Sequence, residues 1–345
     1  MYPYVFARNN VWQGEVTAQK GWSAFNRVGP AEKDFEDHRV LETFYREAEG
    51  FLSRQKKKTP FFLFLALTAP HTPTSPGKKF QGKAGLGLYG DFVMEADHAV
   101  ERVEDALRKH GFEKNTLVLF SSDHGAASYA GNIRKATVDQ IKFLEKKGHY
   151  SSGPYKGYKF SVYEGGLRVP LIAKWPGVSP AGTTCDRLVG LNDLFATLSE
   201  AAGHELPPRV APDSISFLSL LKKPKGKATR TNLVMQSTGP MVVRENNWKL
   251  CLCPGSGSSG PFAYEPKSEP AWKKALAAYD KKPRNHDELL RPPFVQLYDL
   301  AADPDEFRNL WDVPGEESRK LRLMKACFDA SVLAMDPEPP RRGPF

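Results

Sequence analysis

Apolar runs that stop abruptly at polar residues constrain the fold of this 345-residue chain more than any other feature. The runs "FFLFLAL" (residues 61–67), "LVLF" (117–120) and "VPLIAKW" (169–175) predict buried strands that belong to one sheet. Stretches with the apolar spacing of amphipathic helices lie around them, at residues 34–55, 91–110, 136–147 and 192–203. This alternation is typical of an α/β fold in which helices cover a mostly parallel sheet.

The pattern changes after about residue 220. There "LVMQS", "MVVRENNWKLCLC" and "FVQLYDL" read as short strands between polar loops, and a helix follows over residues 316–334. We therefore predict two parts: an α/β domain over residues 1–227, and a small antiparallel subdomain with a terminal helix over residues 228–345.

Composition narrows the function classes. The chain is 40% hydrophobic with a mean hydropathy of −0.48, and no apolar run approaches the roughly 20 residues that span a bilayer. Its net charge of +9 favours anionic ligands, but no nucleic-acid-binding pattern accompanies that charge. Its four cysteines form neither a zinc pattern nor a disulfide framework, so we expect buried free thiols.

Asp123 and His124 follow the "LVLF" run directly, in "SSDHG". Ligands of α/β proteins gather beyond the carboxyl ends of the strands, and a carboxylate beside an imidazole suits a divalent cation. A turn in which Asp123 caps a local amide is the commoner explanation of such a motif taken alone. Its position after a predicted buried strand favours a metal site.

Two further candidates have the same relation to predicted strands. His71 lies in "TAPHTP", immediately after residues 61–67, and Lys159 precedes the glycine-rich "EGGLRVP" that leads into the third strand. Taken singly, each is more often a structural or solvent-exposed residue. Polar residues at separate strand ends are better explained by one shared site, in which the lysine would hold an anion.

The order of these motifs resembles the sulfatase family, of the arylsulfatase A type within the alkaline phosphatase superfamily. The matching segments are "APHTP", "YGDFVMEADHAVERVEDAL", "SDHG", "GYKFSVYEGGLRVP" and, near the end, "LYDLAADPDEFRNL". The resemblance implies an alkaline phosphatase-like α/β fold and hydrolysis of sulfate esters. It assigns Asp123 and His124 to a calcium site, Lys159 to a sulfate oxygen and His71 to the ester oxygen. Both His71 and Lys159 are thus catalytic and substrate-binding candidates.

The family's nucleophile is a formylglycine made from Cys or Ser in a C-x-P-S-R or S-x-P-S-R motif, and neither motif occurs in this sequence. The family's N-terminal Asp-Asp metal pair is also missing. We therefore expect an N-terminally truncated sulfatase: a truncated gene model, a split gene or a degenerate copy. Such a chain has no nucleophile of its own, and we expect it to be inactive alone.

Other functions stay open at this point. A phosphodiesterase or phosphomutase of the same superfamily would also use "SDHG", with two transition metals. A non-catalytic relative could bind sulfated glycans through Lys159 and other basic residues. The expected partner is a sulfate ester, including a sulfated polysaccharide, and not a nucleic acid. The resemblance also implies an exported parent protein, whereas the oligomeric state is not readable from the sequence.

Overall fold

The computed structural model describes residues 3–21, 28–129, 139–207, 209–237, 239–258 and 294–335. The chain divides into two compact units. The first unit comprises Met1–Asn115 and Ala127–Ser151, and the second comprises Thr116–Ala126 and Ser152–Phe345. The predicted boundary near residue 228 falls inside the second unit. None of the helices in the described ranges is long and apolar enough to cross a membrane.

The first unit begins with two small antiparallel ladders. Strands β1 (Ala7–Arg8) and β2 (Val11–Trp12) form a hairpin. The backbone φ angles of its turn residues Asn9 and Asn10 are 49° and 65°, and asparagine tolerates this left-handed conformation better than most residues. Strands β3 (Val16–Lys20) and β4 (Gly29–Glu32) form the second ladder.

Two long helices form the core of the first unit. A 3₁₀ turn (Asp37–Arg39) leads into α1 (Val40–Ser53), and α2 spans Gly87–Lys109. These helices confirm the amphipathic patterns at residues 34–55 and 91–110. Apolar residues of both helices pack together because each helix buries one stripe: Leu41, Tyr45, Phe92 and Ala99. A second 3₁₀ turn (Glu113–Asn115) follows α2, and α3 spans Asp139–Lys146.

The prediction of a buried strand at residues 61–67 is wrong for the described chain. The segment forms no ladder with another described strand, and its residues alternate between half-buried and exposed. Phe61 packs edge-on against Phe51 and Phe112, but Phe62 and Phe64 are 71% and 80% exposed. The physical reason is that α1 and α2 cover only one face of the segment, and a strand also needs a hydrogen-bonded neighbour.

The other two predicted strands pair with each other in the second unit. Strand β5 (Val118–Ser121) lies beside β6 (Leu171–Lys174), but they are antiparallel, so the predicted mostly parallel sheet is not seen among the described residues. Burial on both faces is also not observed. The cross-strand partners Phe120 and Ile172 are 37% and 60% exposed, because no described element covers their side of the ladder.

The small antiparallel sheet predicted after residue 228 is confirmed. Its strands are β7 (Asn232–Gln236), β8 (Met241–Glu245), β9 (Trp248–Cys251) and β10 (Gln296–Asp299), in the order β10-β9-β8-β7. The terminal helix α7 (Glu317–Met335) packs on this sheet through Leu323 and Cys327, which join the buried cluster around Val243, Leu250 and Leu297. The remaining elements of the second unit are α4 (Glu164–Leu167), α5 (Asp193–Ala201) and α6 (Leu218–Lys222).

Candidate active site

Asp123 and His124 occupy the turn that follows β5 in the second unit. The Ser122 hydroxyl donates to the carbonyl of His124 at 2.9 Å, and the backbone N–H of His124 donates to Oδ1 of Asp123 at 3.1 Å. These bonds hold a turn whose side chains remain accessible: 82% of the Asp123 side chain and 34% of the His124 side chain are exposed. Both groups can therefore reach a ligand.

The His124 ring has a defined tautomer. Its Nδ1 lies 2.9 Å from the carbonyl oxygen of Gly125, which can only accept, so Nδ1 carries a proton. In neutral His124, Nε2 is then an acceptor, and it lies 3.1 Å from Oδ2 of Asp123, a second acceptor. A proton or a cation placed between these two atoms would interact with both lone pairs.

This spacing suits a metal ion. A carboxylate oxygen and a neutral imidazole nitrogen are both ligands of divalent cations. Asp123 and His124 are therefore candidate neighbouring ligands of one cation. Across the described ranges, no group of three or more His, Cys, Asp or Glu side chains is arranged to hold a metal. A complete site would need ligands beyond this pair.

Glycines join this turn to the segment that contains Lys159. The N–H of Gly125 donates to the carbonyl of Gly166 at 2.9 Å. A Cβ atom on Gly125 would lie 1.8 Å from the carbonyl oxygen of Gly165, and one on Gly165 would lie 2.1 Å from that of Gly157. The "EGG" of α4 is thus required because backbone packs directly on backbone there.

Lys159 lies within electrostatic reach of Asp123. Its backbone N–H donates to the carbonyl of Ala126 at 2.7 Å, two residues beyond His124. Burial lowers the pKa of the Lys159 ammonium, and the negative charge of Asp123 offsets part of that shift. The structure therefore brings Asp123, His124 and Lys159 together within the second unit, with a cation beside a potential metal pair.

A buried charge network stabilises α4 from the opposite side. Lys249 of β9 is fully buried, and its Nζ lies 2.8 Å from Oε1 of Glu306 and 3.1 Å from Oε1 of Glu164. Oε2 of Glu306 accepts the backbone N–H of Glu164 at 2.7 Å, and Arg244 of β8 also pairs with Glu164. The two acids and two bases balance in charge, as buried ions require.

The pKa shifts agree with this pairing. Burial alone would raise the pKa of the Glu164 carboxyl, but Lys249 and Arg244 outweigh burial and hold it below its ordinary value. Burial acts against a charged Lys249, yet the carboxylates of Glu306 and Glu164 raise the pKa of its ammonium. The C-terminal sheet is thus tied by charge to the segment that positions Lys159.

The sequence did not indicate this network. Glu164 also lies 3.7 Å from Arg168, four residues further along the chain, but Lys249 and Arg244 are its closer partners. Glu306 lies within "LYDLAADPDEFRNL", which carried the family resemblance without indicating any contact. No local sequence pattern distinguishes Lys249 from any other polar residue within a strand.

His71 belongs to the first unit. Its Nδ1 lies within hydrogen-bond range of the carbonyl oxygen of Thr72, so Nδ1 carries a proton and Nε2 is the ring atom that can exchange one. The predicted meeting of His71 with Asp123, His124 and Lys159 stays a prediction.

Comparison with known proteins identifies the class to which this fold and cluster belong. The sulfatase family model matches residues 14–204, more than half of the chain. The chain belongs to the sulfatase family, which confirms the resemblance in its sequence.

Individual relatives agree. The chain is 30% identical over 292 residues to an N-acetylgalactosamine-6-O-sulfatase of Bacteroides thetaiotaomicron, covering 83% of this chain and 50% of the relative. It is 37% identical over 307 residues to a steryl-sulfatase of Rattus norvegicus, covering 85% of this chain and 48% of the relative. The chain thus spans about half the length of these curated relatives.

Solved structures show the same fold. One from a study of glycosaminoglycan metabolism in Bacteroides thetaiotaomicron superposes with a TM-score of 0.76 at 22% identity, over 96% of this chain and 70% of the other. A sulfatase from Pseudoalteromonas sp. gives a TM-score of 0.62 at 19% identity, over 88% of this chain and 55% of the other.

Proposed function

We propose that this chain contributes the cation-binding and sulfate-binding part of a sulfate-ester hydrolase. Asp123 and His124 would hold a divalent cation, for which we expect calcium, and Lys159 would contact a sulfate oxygen. The observation that carries the proposal is the cluster of these three residues, held by the Gly125–Gly166 and Lys159–Ala126 backbone bonds. The arylsulfatase-like reaction is part of this proposal and is supported by the family resemblance of the sequence.

The chemistry requires positive charge beside the sulfate group. Negative charge on sulfate and nucleophile is offset most effectively by groups that are fixed before the reaction. The bound cation would supply Lewis-acid charge compensation. Lys159 would orient the ester by holding one sulfate oxygen, and its partial burial strengthens that contact. By the family resemblance, His71 protonated on both ring nitrogens would donate its Nε2 proton to the oxygen of the leaving alcohol and become the neutral imidazole with its proton on Nδ1.

We further propose that the nucleophile comes from a sulfatase segment outside these 345 residues. None of the four cysteines lies in a C-x-P-x-R motif. Cys251, Cys253 and Cys327 are buried, and burial raises the pKa of the thiols of Cys253 and Cys327 to about 12. Such thiols cannot attack sulfur, and the exposed Cys185 lies in no formylglycine motif, so we expect the chain alone to show no turnover.

For the substrate, we propose a sulfated sugar, including one within a polysaccharide. The support is a group of relatives: an N-acetylgalactosamine-6-O-sulfatase of Bacteroides thetaiotaomicron, and the N-acetylgalactosamine-6-sulfatases of Sus scrofa and Homo sapiens. The steryl-sulfatase of Rattus norvegicus makes a sterol sulfate the second candidate. Export of the parent protein is part of the same proposal.

Binding to the chain as it stands tests the site. Isothermal titration with inorganic sulfate, in the presence and absence of calcium, should show binding that Lys159→Met weakens by about ten-fold or more. Asp123→Asn should weaken the calcium dependence. Lys223→Met is the matched control, because Lys223 is an exposed lysine of the same unit and lies 64 positions after Lys159 in the sequence. Equal effects of Lys159→Met and Lys223→Met would contradict the assignment.

Turnover distinguishes the reaction classes. The chain should be co-expressed with a sulfatase segment that carries C-x-P-S-R and with a formylglycine-generating enzyme, and then assayed on aryl sulfate and aryl phosphate. We expect sulfate-ester hydrolysis that the chain alone lacks. Preferred hydrolysis of the phosphate would favour a phosphodiesterase or phosphomutase. Activity of residues 1–345 alone would show that another nucleophile exists.

A further inference from the structure

A lysine-rich loop follows the His71 segment in the first unit. Residues 77–84, "GKKFQGKA", present Lys78, Lys79 and Lys83, all of which are exposed. We call these residues the lysine loop. No acidic residue occurs within the loop itself.

The backbone of the lysine loop is fixed from below by two buried carboxylates. Asp91 and Glu95 lie four residues apart on α2 and therefore on one face, and each is 1% exposed. Asp91 accepts the N–H groups of Gly82 at 2.8 Å and Ala84 at 2.9 Å. Glu95 accepts the N–H of Gly77 at 2.7 Å. The backbone of the loop is thus held by Asp91 and Glu95, and these bonds involve neither the Lys78 nor the Lys83 side chain.

The three lysines differ in what their side chains contact. Lys79 donates to Nε2 of His98 at 2.9 Å, and its charge also favours ionised Glu95, so it has a structural role. Within the described ranges, Lys78 and Lys83 have no carboxylate within ion-pair distance. Their charges are therefore available to an anionic ligand.

A second exposed lysine cluster of this unit, Lys56, Lys57 and Lys58, lies three to five residues beyond Ser53, the last residue of α1. Substituting two of these lysines removes the same charge as substituting Lys78 and Lys83. The cluster therefore serves as a control for net charge.

We propose that the lysine loop is a binding site for a polyanionic glycan, a linear polysaccharide that carries sulfate or carboxylate groups. This inference rests on the proposed function for its choice of polymer, since that function takes a sulfated sugar that can lie within a polysaccharide. A rigid backbone that displays lysines binds such a polymer at a low cost in conformational entropy.

The test compares two double variants of the 345-residue chain. Binding of a chondroitin sulfate oligosaccharide is measured by titration over a series of salt concentrations for wild type, for Lys78→Ala/Lys83→Ala and for Lys56→Ala/Lys58→Ala. Lys79 is left intact because of its contacts with His98 and Glu95. The lysine-loop variant should bind roughly three- to thirty-fold more weakly, as expected for losing two exposed charge contacts, with a smaller dependence on salt. The control variant removes the same charge and should bind like wild type.

Each alternative outcome has a distinct meaning. Equal weakening in both variants would show binding by net charge alone and would overturn the proposal. Tighter binding of a single-stranded DNA oligonucleotide of matched charge would overturn the glycan assignment. The lysine-loop variant should bind inorganic sulfate like wild type, whereas Lys159→Met should not. If the wild-type chain did not bind inorganic sulfate, that result would contradict the proposed function. It would leave the proposal for the lysine loop unaffected.

Discussion

Replacing Lys249 with methionine should destabilise the second unit strongly. Methionine fills a similar volume but leaves Glu164 and Glu306, 3% and 0% exposed, without the cation that lies 3.1 and 2.8 Å from their carboxylates. Removing one partner of a buried ion pair costs roughly 3–5 kcal/mol, because the remaining charge stays desolvated. Arg244 still pairs with Glu164, so we expect a cost of about 3 kcal/mol.

The cost should depend on pH in a defined direction. Burial raises the pKa of the Glu306 carboxyl, an effect that Lys249 opposes in the wild type. Without Lys249 the folded-state pKa of Glu306 rises further above the ordinary 4.5, so the folded variant takes up a proton more readily than the unfolded chain. The stability of Lys249→Met should therefore rise relative to wild type as the pH falls from 7 towards 5.

Urea unfolding at pH 7 and pH 5, followed by circular dichroism, measures both effects. Arg322→Met is the matched control, because the Arg322 side chain is 54% exposed and its bidentate contact with Glu245 should be worth less than about 1 kcal/mol. Lys249→Arg should recover part of the lost stability, since it restores the charge. A cost for Lys249→Met no larger than that for Arg322→Met would refute the account of the network.

Three further predictions concern single positions. Gly125→Ala should abolish sulfate binding in titration and lower the melting temperature, because its Cβ would lie 1.8 Å from the carbonyl oxygen of Gly165. The control Gly50→Ala should have neither effect, because its Cβ would meet only the flexible end of the Arg54 side chain. In the native chain, a thiol reagent at pH 8 should modify Cys185 alone, as counted by mass spectrometry, because the other thiols are buried; rapid labelling of all four would contradict their burial. Phe64→Ser should change the free energy of unfolding by less than about 0.5 kcal/mol, because this side chain is 80% exposed. A loss of stability as large as that of a substitution in the core would support a buried strand at residues 61–67 instead.

Local features of the structure could be predicted from the sequence. Helix α2 spans Gly87–Lys109 where the apolar spacing indicated residues 91–110, and β5 spans Val118–Ser121 where the apolar run indicated 117–120. Helical periodicity and strand propensity depend on residues a few positions apart. They can therefore be read from the sequence without information about the rest of the fold. The Asp123–His124 turn belongs to the same class, because it is defined by the end of one strand.

Other features depended on tertiary structure. Residues 61–67 have the composition of a buried strand, but burial depends on what packs against both faces, and in the described chain Phe62 and Phe64 have no such cover. The direction of β6 relative to β5 depends on the path of the chain between them.

The charge network depended on tertiary structure most of all. Its hydrogen bonds join Glu164 to residues 85 and 142 positions further along the chain. An isolated lysine in a strand and an isolated glutamate in a loop look like ordinary surface residues in sequence. They form a buried group because folding brings opposite charges together away from water, where an ion is stable only beside its partner.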